Sequence, residues 1–531
     1  MSVVDIALQG AATDGPTFRK VISRLAVDKL ASSTPPRPLP MSLWSPVDQT
    51  DPDVQGPVCD YVSWPGLTDR TFSSRHLPPA LQAVIDALPS NAVTDPANAP
   101  FGPITALFAR PAGGIQKDRS SVLFAYFAQW FTDSFLRTSR PDRRRNTSNH
   151  EIDLCQIYGL DEDVTRLLRS KQGGKLSSQI VRNQEFPDGL YEVGDGGRLV
   201  PKTKYLDLPQ VANGALAWLL DQQNVSPERR ARVYATGLER GNSSIGYVTI
   251  STLFIREHNR LCDGLATGHP DWDDERLFQT ARMINTVMLL RIVVEDYINH
   301  IAGHHIFVLD NSYAEGQPWY RTNWMAVEFD LLYRWHGLIP ESVLIATQTY
   351  GPLDFQTNNG LIETLGLEAV IDGASREQAG RVCLFNSPTF VLVAESQSLK
   401  MGRDFRLRNF NDYRERFGLG RLGDWDALTS DDRVKTALKA LYDDIDQLEL
   451  VVGLFAEQTQ GGALFGGLMN TMVACDAFTQ ALTNPLLSKN IYNADNFTQY
   501  GLDQIEATPS LQALVDRNVL AGAGIKASFD H

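Results

Sequence analysis

The stretch WMAVEFDLLYRWHGLIP, Trp324 to Pro340, decides how the chain is read. At helical period Phe329, Leu332, Tyr333 and His336 fall in one arc, because residues three and four apart are neighbours on a helix surface. A phenol and an imidazole therefore share an apolar face. Gly337 and Pro340 act as breakers and are expected to end the helix just after His336. Taken alone, this arrangement is read most simply as a hydrogen-bonded core histidine.

The remaining sequence narrows the class. A chain of 531 residues with 43% hydrophobic residues can bury a large core. Repeats and long Gly/Ser linkers are absent, so one large unit with a small N-terminal piece is expected: an arm over residues 1–55 and a body over 56–531. A formal net charge of -14 argues against a nucleic-acid partner. The opening MSVVDIALQGAATDG lacks a basic region followed by an apolar one, and no window is read as approaching the roughly 20 apolar residues of a bilayer span. Cys59, Cys155, Cys262, Cys383 and Cys475 are scattered without CxxC spacing, which matches neither a disulfide framework nor a zinc site. A cytoplasmic protein is the expectation.

Residues 17–31, TFRKVISRLAVDKLA, predict an amphipathic helix with Phe18, Val21, Ile22, Leu25 and Leu30 on one side and Arg19, Lys20, Arg24 and Lys29 mostly on the other. Such a helix docks on a protein body or lies on a membrane surface as a peripheral contact. The Pro-rich arm from Thr34 to Pro57 cannot be a continuous helix. Val122 to Leu136, VLFAYFAQWFTDSFL, predicts a largely apolar helix on which Gln129 and Asp133, four residues apart, share a face. Arg291 to Gly303, RIVVEDYINHIAG, predicts another.

The run Tyr333-Arg334-Trp335-His336, with Glu328-Phe329 before it and Leu338-Ile339-Pro340 after it, resembles the proximal-helix motif of the cyclooxygenases, in the animal-type haem peroxidase superfamily. The resemblance spans about residues 56 to 500. It implies a mainly α fold, a large helical haem-peroxidase-like domain behind a short N-terminal arm, with haem b held between the Gln129/Asp133 helix and the His336 helix. It makes His336 the proximal iron ligand and Tyr333 the radical that takes a substrate hydrogen; neutral imidazole suits haem iron. Val122 to Leu136 is similar to the distal helix, where the family carries Gln and, four residues on, His. Here those positions are Gln129 and Asp133. A buried Asp held partly protonated can serve as an acid-base group, and equally it can be a salt-bridge partner.

Arg240 and Asn242, sixteen residues before Arg256-Glu257-His258-Asn259-Arg260, resemble the superfamily's Arg-x-Asn pattern, which makes Arg240 the distal arginine that polarises a peroxide. His258 is read as structural. In the family's calcium loop Asp153 remains, but Glu151, Cys155 and Ser134 stand where other ligands are usual, so no calcium is expected. Tyr297 matches a channel tyrosine, His304 falls where a carboxylate-holding tyrosine stands, and Ala477 is near the channel serine. Arg24 and Arg37 are the candidates for a carboxylate-binding arginine. The resemblance thus implies a haem-dependent oxidoreductase, a fatty-acid dioxygenase acting on an unsaturated fatty acid or similar lipid with O2 through a tyrosyl radical. A peroxidase or peroxygenase using Asp133 with peroxide, and a non-catalytic member without haem, stand as alternatives.

Overall fold

Helices account for 51% of the chain, and apolar runs started by polar caps explain the longest of them. The computed structural model describes residues 16–33, 64, 68–95, 97, 100–139, 142–459, 461–519 and 524–531. The Pro-rich arm, with Arg37 and Cys59, lies outside the described residues. The elements that position the site are α1 (Pro16–Ala31), β1 (Lys117–Ser121), α2 (Val122–Thr132), α3 (Ile245–Gly268), α4 (Asp274–Ile292), a π turn (Val293–Tyr297) leading into α5 (Ile298–Ala302), α6 (Val327–Leu332), β2 (Gln378–Gly380), α7 (Leu392–Asp404) and α8 (Gly467–Leu482). Among the described residues, sheet is confined to two-stranded pairs, of which antiparallel β1–β2 lies beside the site. The architecture is mainly α, as the resemblance implies.

Capping explains where the helices begin. The Ser121 side chain accepts from the backbone N–H of Phe124 at the start of α2, Ser244 accepts from Tyr247 at the start of α3, and Asp273 accepts from Arg276 at the start of α4. In α2 the core side takes Leu123, Phe124, Phe127, Trp130 and Phe131. Trp130 stacks on Phe254 of α3 at 4.8 Å and donates through Nε1 to Ser251 Oγ at 2.9 Å. The close approach of α3 to α2 requires glycine at 246, since a Cβ there would lie 2.4 Å from the Tyr126 ring.

Helix-period reading needs three corrections. First, α2 stops at Thr132 rather than Leu136, but Asp133 keeps right-handed helical dihedrals at the C-cap, so it still follows Gln129 onto the same face. Second, α6 stops at Leu332, and Tyr333 to Trp335 are not helical. Beyond that end distant groups hold the backbone: the carbonyls of Gly337 and Ile339 accept from the Arg110 guanidinium at 3.3 and 2.8 Å, and Gly337 lies so close to Arg381 that a Cβ would meet its carbonyl oxygen at 2.5 Å. Third, α1 docks through Ile22, Ser23, Val27 and Ala31 and leaves Phe18, Val21 and Leu25 exposed. Polar anchors set that rotation, with Arg24 Nε donating to Asp310 at 2.7 Å and Trp319 Nε1 to Asp28 at 2.9 Å. Arg24 is thereby committed to Asp310.

The segment Asp274–Ala302 reaches a mean hydropathy of 1.3 over an 18-residue window, which meets the length and composition of a membrane span. The sequence reading missed it. That window is 78% buried in the fold, so its apolarity has a use as core.

Behind α2 the C-terminal residues return to the core. Phe529 packs on Phe127 at 5.1 Å and Tyr297 at 5.9 Å, while Asp530 accepts from the buried His300 ring at 2.9 Å. Phe529→Ala is expected to destabilise the protein by about 3 to 5 kcal/mol through the cavity it leaves, read as a lower urea midpoint at unchanged slope.

Candidate active site

A cavity of about 380 Å³ opens between α2 and the segment that follows α6. From α2 it receives Val122, Ala125, Tyr126, Ala128, Gln129 and Thr132, then Asp133; from the other wall come Tyr333, Arg334, Trp335, His336 and Leu338. The side chains at 125 and 128 are single methyl groups, which leave room on that wall. The Tyr126 hydroxyl, Ser243 Oγ and Trp335 Nε1 are buried without a hydrogen-bond partner among the described residues, and all three residues line the cavity. Buried polar atoms left in this way call for a partner, which a group bound in the cavity would supply.

On the α6 side, His336 Nδ1 lies 3.0 Å from Glu395 Oε1. Glu395 as a carboxylate accepts from an Nδ1–H, and in that tautomer the Nε2 lone pair is left for a metal. Arg110 and Asn386 hold the loop beyond His336, and Gly380 is pressed so close that a Cβ would lie 2.0 Å from the Gly337 oxygen. The residues present fit haem: an imidazole lines the cavity with one nitrogen engaged by Glu395, Ala125 and Ala128 are on the opposite wall, and the guanidinium groups of Arg240 and Arg334 are among the lining residues.

Tyr333 is half-buried at the same cavity. Its ring stacks on Trp335 at 4.3 Å and meets Phe329 edge-on at 5.0 Å. Burial raises its phenol pKa well above the ordinary value. Tyr297 from the π turn is its neighbour: burial raises that phenol too, helped by Tyr333, although its hydroxyl reaches no partner at full hydrogen-bond distance. Glu328 steadies α6 by accepting from the Tyr413 hydroxyl at 2.8 Å and from the His76 N–H at 3.0 Å.

Opposite, Asp133 is 6% exposed and its Oδ2 accepts from the Tyr247 hydroxyl at 2.8 Å. Its Oδ1 lies 3.6 Å from both Arg137 NH1 and Arg240 NH1. Burial pushes its carboxyl above the usual range, against the pull of Arg240, Arg137 and the Tyr247 hydroxyl. Gln129, Asp133 and Arg240 are therefore brought together, with Arg240 at the open rim, its side chain 59% exposed. The acid-base and salt-bridge readings of Asp133 merge in one geometry.

Two of the expected channel residues stand apart. His304 is exposed beyond the left-handed Gly303 and does not line the cavity, because the chain turns outward there instead of continuing α5. Ala477 is buried within α8, also off the cavity lining. His258 has both nitrogens engaged, by the Tyr158 hydroxyl at 2.9 Å and the Gly174 carbonyl at 3.0 Å. Glu395 escaped the sequence reading altogether, since nothing local marks a glutamate fifty-nine residues from its partner. Arg137 carried a signal, its i,i+4 spacing from Asp133.

In the loop compared with a calcium site, Asp153 accepts from the Cys155 N–H and from Asn149 Nδ2, both at 2.9 Å, and Glu151 accepts from Asn323 Nδ2 at 2.7 Å. Burial raises the Glu151 carboxyl to about 7. The unfolded chain gives up this proton near 4.5 while the fold retains it, so stability is lost as pH rises from there through 7. Glu151→Gln is expected to flatten that slope and to stabilise the protein at pH 8 by roughly 1 to 3 kcal/mol, with no gain at pH 4; thermal melts at the two pH values measure it.

The chain matches the family model for animal haem peroxidase over residues 124–527. Prostaglandin G/H synthase 2 of Equus caballus is 30% identical over 469 residues, which cover 86% of this chain and 72% of that one. Prostaglandin G/H synthase 1 of Mus musculus is 31% identical over 482 residues, 86% of this chain and 73% of that one. Among solved structures, a fatty acid alpha-dioxygenase of Oryza sativa superposes with a TM-score of 0.67 at 16% identity, covering 97% of this chain and 94% of that chain; a variant of it has been solved with palmitic acid. Peroxidase A from Dictyostelium discoideum superposes with a TM-score of 0.63 at 17% identity, covering 87% and 96%. At these identities the structural likeness shows a common fold.

Proposed function

The chain belongs to the animal haem peroxidase family and is an oxidoreductase, and from that premise we propose that it is a haem-dependent fatty-acid dioxygenase in which Tyr333 abstracts the substrate hydrogen. What supports this reading is the placing of the Tyr333 phenol and the His336 imidazole on one cavity wall, with Trp335 stacked against the phenol. The relatives named for prostaglandin synthesis and the fold neighbours named for fatty-acid oxygenation supply the substrate class.

Haem, when bound, supplies one-electron oxidising power after meeting a peroxide. Tyr333 then loses an electron and its hydroxyl proton. The resulting phenoxyl takes a hydrogen atom from a weak carbon–hydrogen bond, bis-allylic or α to the carboxyl, and becomes a phenol again. O2 adds to the carbon radical, and the peroxyl radical recovers a hydrogen atom from the Tyr333 hydroxyl, giving a hydroperoxide and renewing the phenoxyl. Fatty acid and O2 are consumed one for one. Phe329, Trp335 and Tyr297 pack around the phenol and limit the water that reaches the radical. The same reading gives the exposed Phe18, Val21 and Leu25 of α1 a role in peripheral lipid contact.

The test is oxygen uptake by the haem-loaded protein with an unsaturated fatty acid after a trace of peroxide. Uptake matched by hydroperoxide product supports the proposal. Turnover that consumes peroxide and leaves O2 untouched replaces it with a peroxidase or peroxygenase, a second reading favoured by Asp133. In that reading Asp133 shuttles the peroxide proton and Arg240 polarises the leaving oxygen. Asp133→Asn is expected to lower peroxide consumption by about a hundredfold. Because burial raises the Asp133 carboxyl, the parent's peroxide reaction should gain rate as pH rises through that raised value, and the variant should lose this acidic limb.

A further inference from the structure

The partner of His336 carries a consequence for the metal. Glu395 sits on α7, is 1% exposed, and brings Oε1 to 3.0 Å from His336 Nδ1. The same oxygen accepts from Ser387 Oγ at 2.7 Å, while Oε2 is buried without a partner among the described residues. No lysine or arginine pairs with Glu395 among the described residues, so His336 and Ser387 are the groups that answer its charge. A hydrogen bond from imidazole to a carboxylate is stronger than one to a neutral acceptor, and more so where water is excluded. It orients the ring, fixes the tautomer and raises the basicity of the metal-bound nitrogen.

We propose that Glu395 is a positioning residue that draws on the His336 Nδ1–H, directs Nε2 into the cavity and makes the imidazole a stronger electron donor to haem iron, favouring the ferric over the ferrous state. The inference rests on the reading that His336 is the axial ligand. It adds that the donor strength of that ligand is set by an anionic residue on a different helix, whose one engaged oxygen is shared with a serine. Ser387 thus moderates the bond: its hydroxyl takes part of the electron density that Oε1 would otherwise offer to His336.

The test uses the haem-loaded full chain and two substitutions of opposite expected sign, each read by the midpoint potential and by the iron–histidine stretching frequency of the ferrous form. Glu395→Gln keeps shape and an acceptor oxygen but removes the charge. It should retain the Soret band, shift the reduction equilibrium roughly tenfold toward ferrous, about 59 mV for one electron, and lower the stretching frequency. Ser387→Ala leaves Oε1 to His336 alone and should move both readouts the other way. Unchanged potential and frequency in Glu395→Gln overturn the proposal; if that variant does not fold, a Ser387→Ala protein indistinguishable from the parent overturns it. A parent protein with no Soret band would instead defeat the haem reading, and this inference with it.

Discussion

Tyr333→Phe is expected to bind haem as the parent does and to lose fatty-acid oxygenation, by roughly a thousandfold or more, equivalent to about 4 kcal/mol of barrier. The substitution removes one oxygen atom from a ring held between Trp335 at 4.3 Å and Phe329 at 5.0 Å, so packing and fold survive. Oxygen uptake with an unsaturated fatty acid, and the peroxide-elicited radical signal, measure the result. Uptake at the parental rate in the variant would remove Tyr333 from the chemistry and leave the phenol as a buried core residue. Because burial holds the phenol pKa far above the working range, the hydroxyl is protonated throughout ordinary pH. The chemistry therefore starts from the phenol, and no pH dependence of the abstraction step should trace to Tyr333.

His336→Ala is expected to abolish the Soret band or to shift it to that of a loosely held haem. The imidazole is the group on this wall whose free nitrogen remains for iron once Glu395 has taken the other. A spectrum identical to the parent's would end the assignment. The variant also leaves the buried Glu395 with Ser387 as its remaining donor, so some loss of stability should accompany the spectral change. Glu395→Gln, which keeps His336, separates the two effects.

The motif from Trp324 to Pro340 was legible because its residue types are contiguous, and so were the positions of Gln129, Asp133 and Arg240, which the fold brings to one cavity. Less legible was the backbone that presents them. Period-based reading extends α6 through His336, yet the helix ends at Leu332, and the backbone from Gly337 onward is held by Arg110, more than two hundred residues earlier, a contact that periodicity does not register. The rotation of α1 was likewise not legible: apolar spacing grouped Phe18, Val21 and Leu25 with Ile22 without deciding which side docks, and the distant Asp310 draws Arg24 inward. His304, which the resemblance sets where a carboxylate-holding tyrosine stands, is carried out to solvent beyond the left-handed Gly303.

What the sequence by itself determined is the helical class and the candidate site side chains, because helix periodicity, capping residues and the Tyr333-to-His336 motif are local properties of the chain. The tertiary structure alone decided how those side chains are tuned. Glu395 reaches His336 across fifty-nine residues, Tyr297 comes beside Tyr333 through a π turn, and Tyr247 with Arg137 and Arg240 surrounds Asp133. Charge, desolvation and hydrogen bonding act through space over a few ångströms, so the groups that set donor strength and proton affinity leave no periodic trace in the order of the residues.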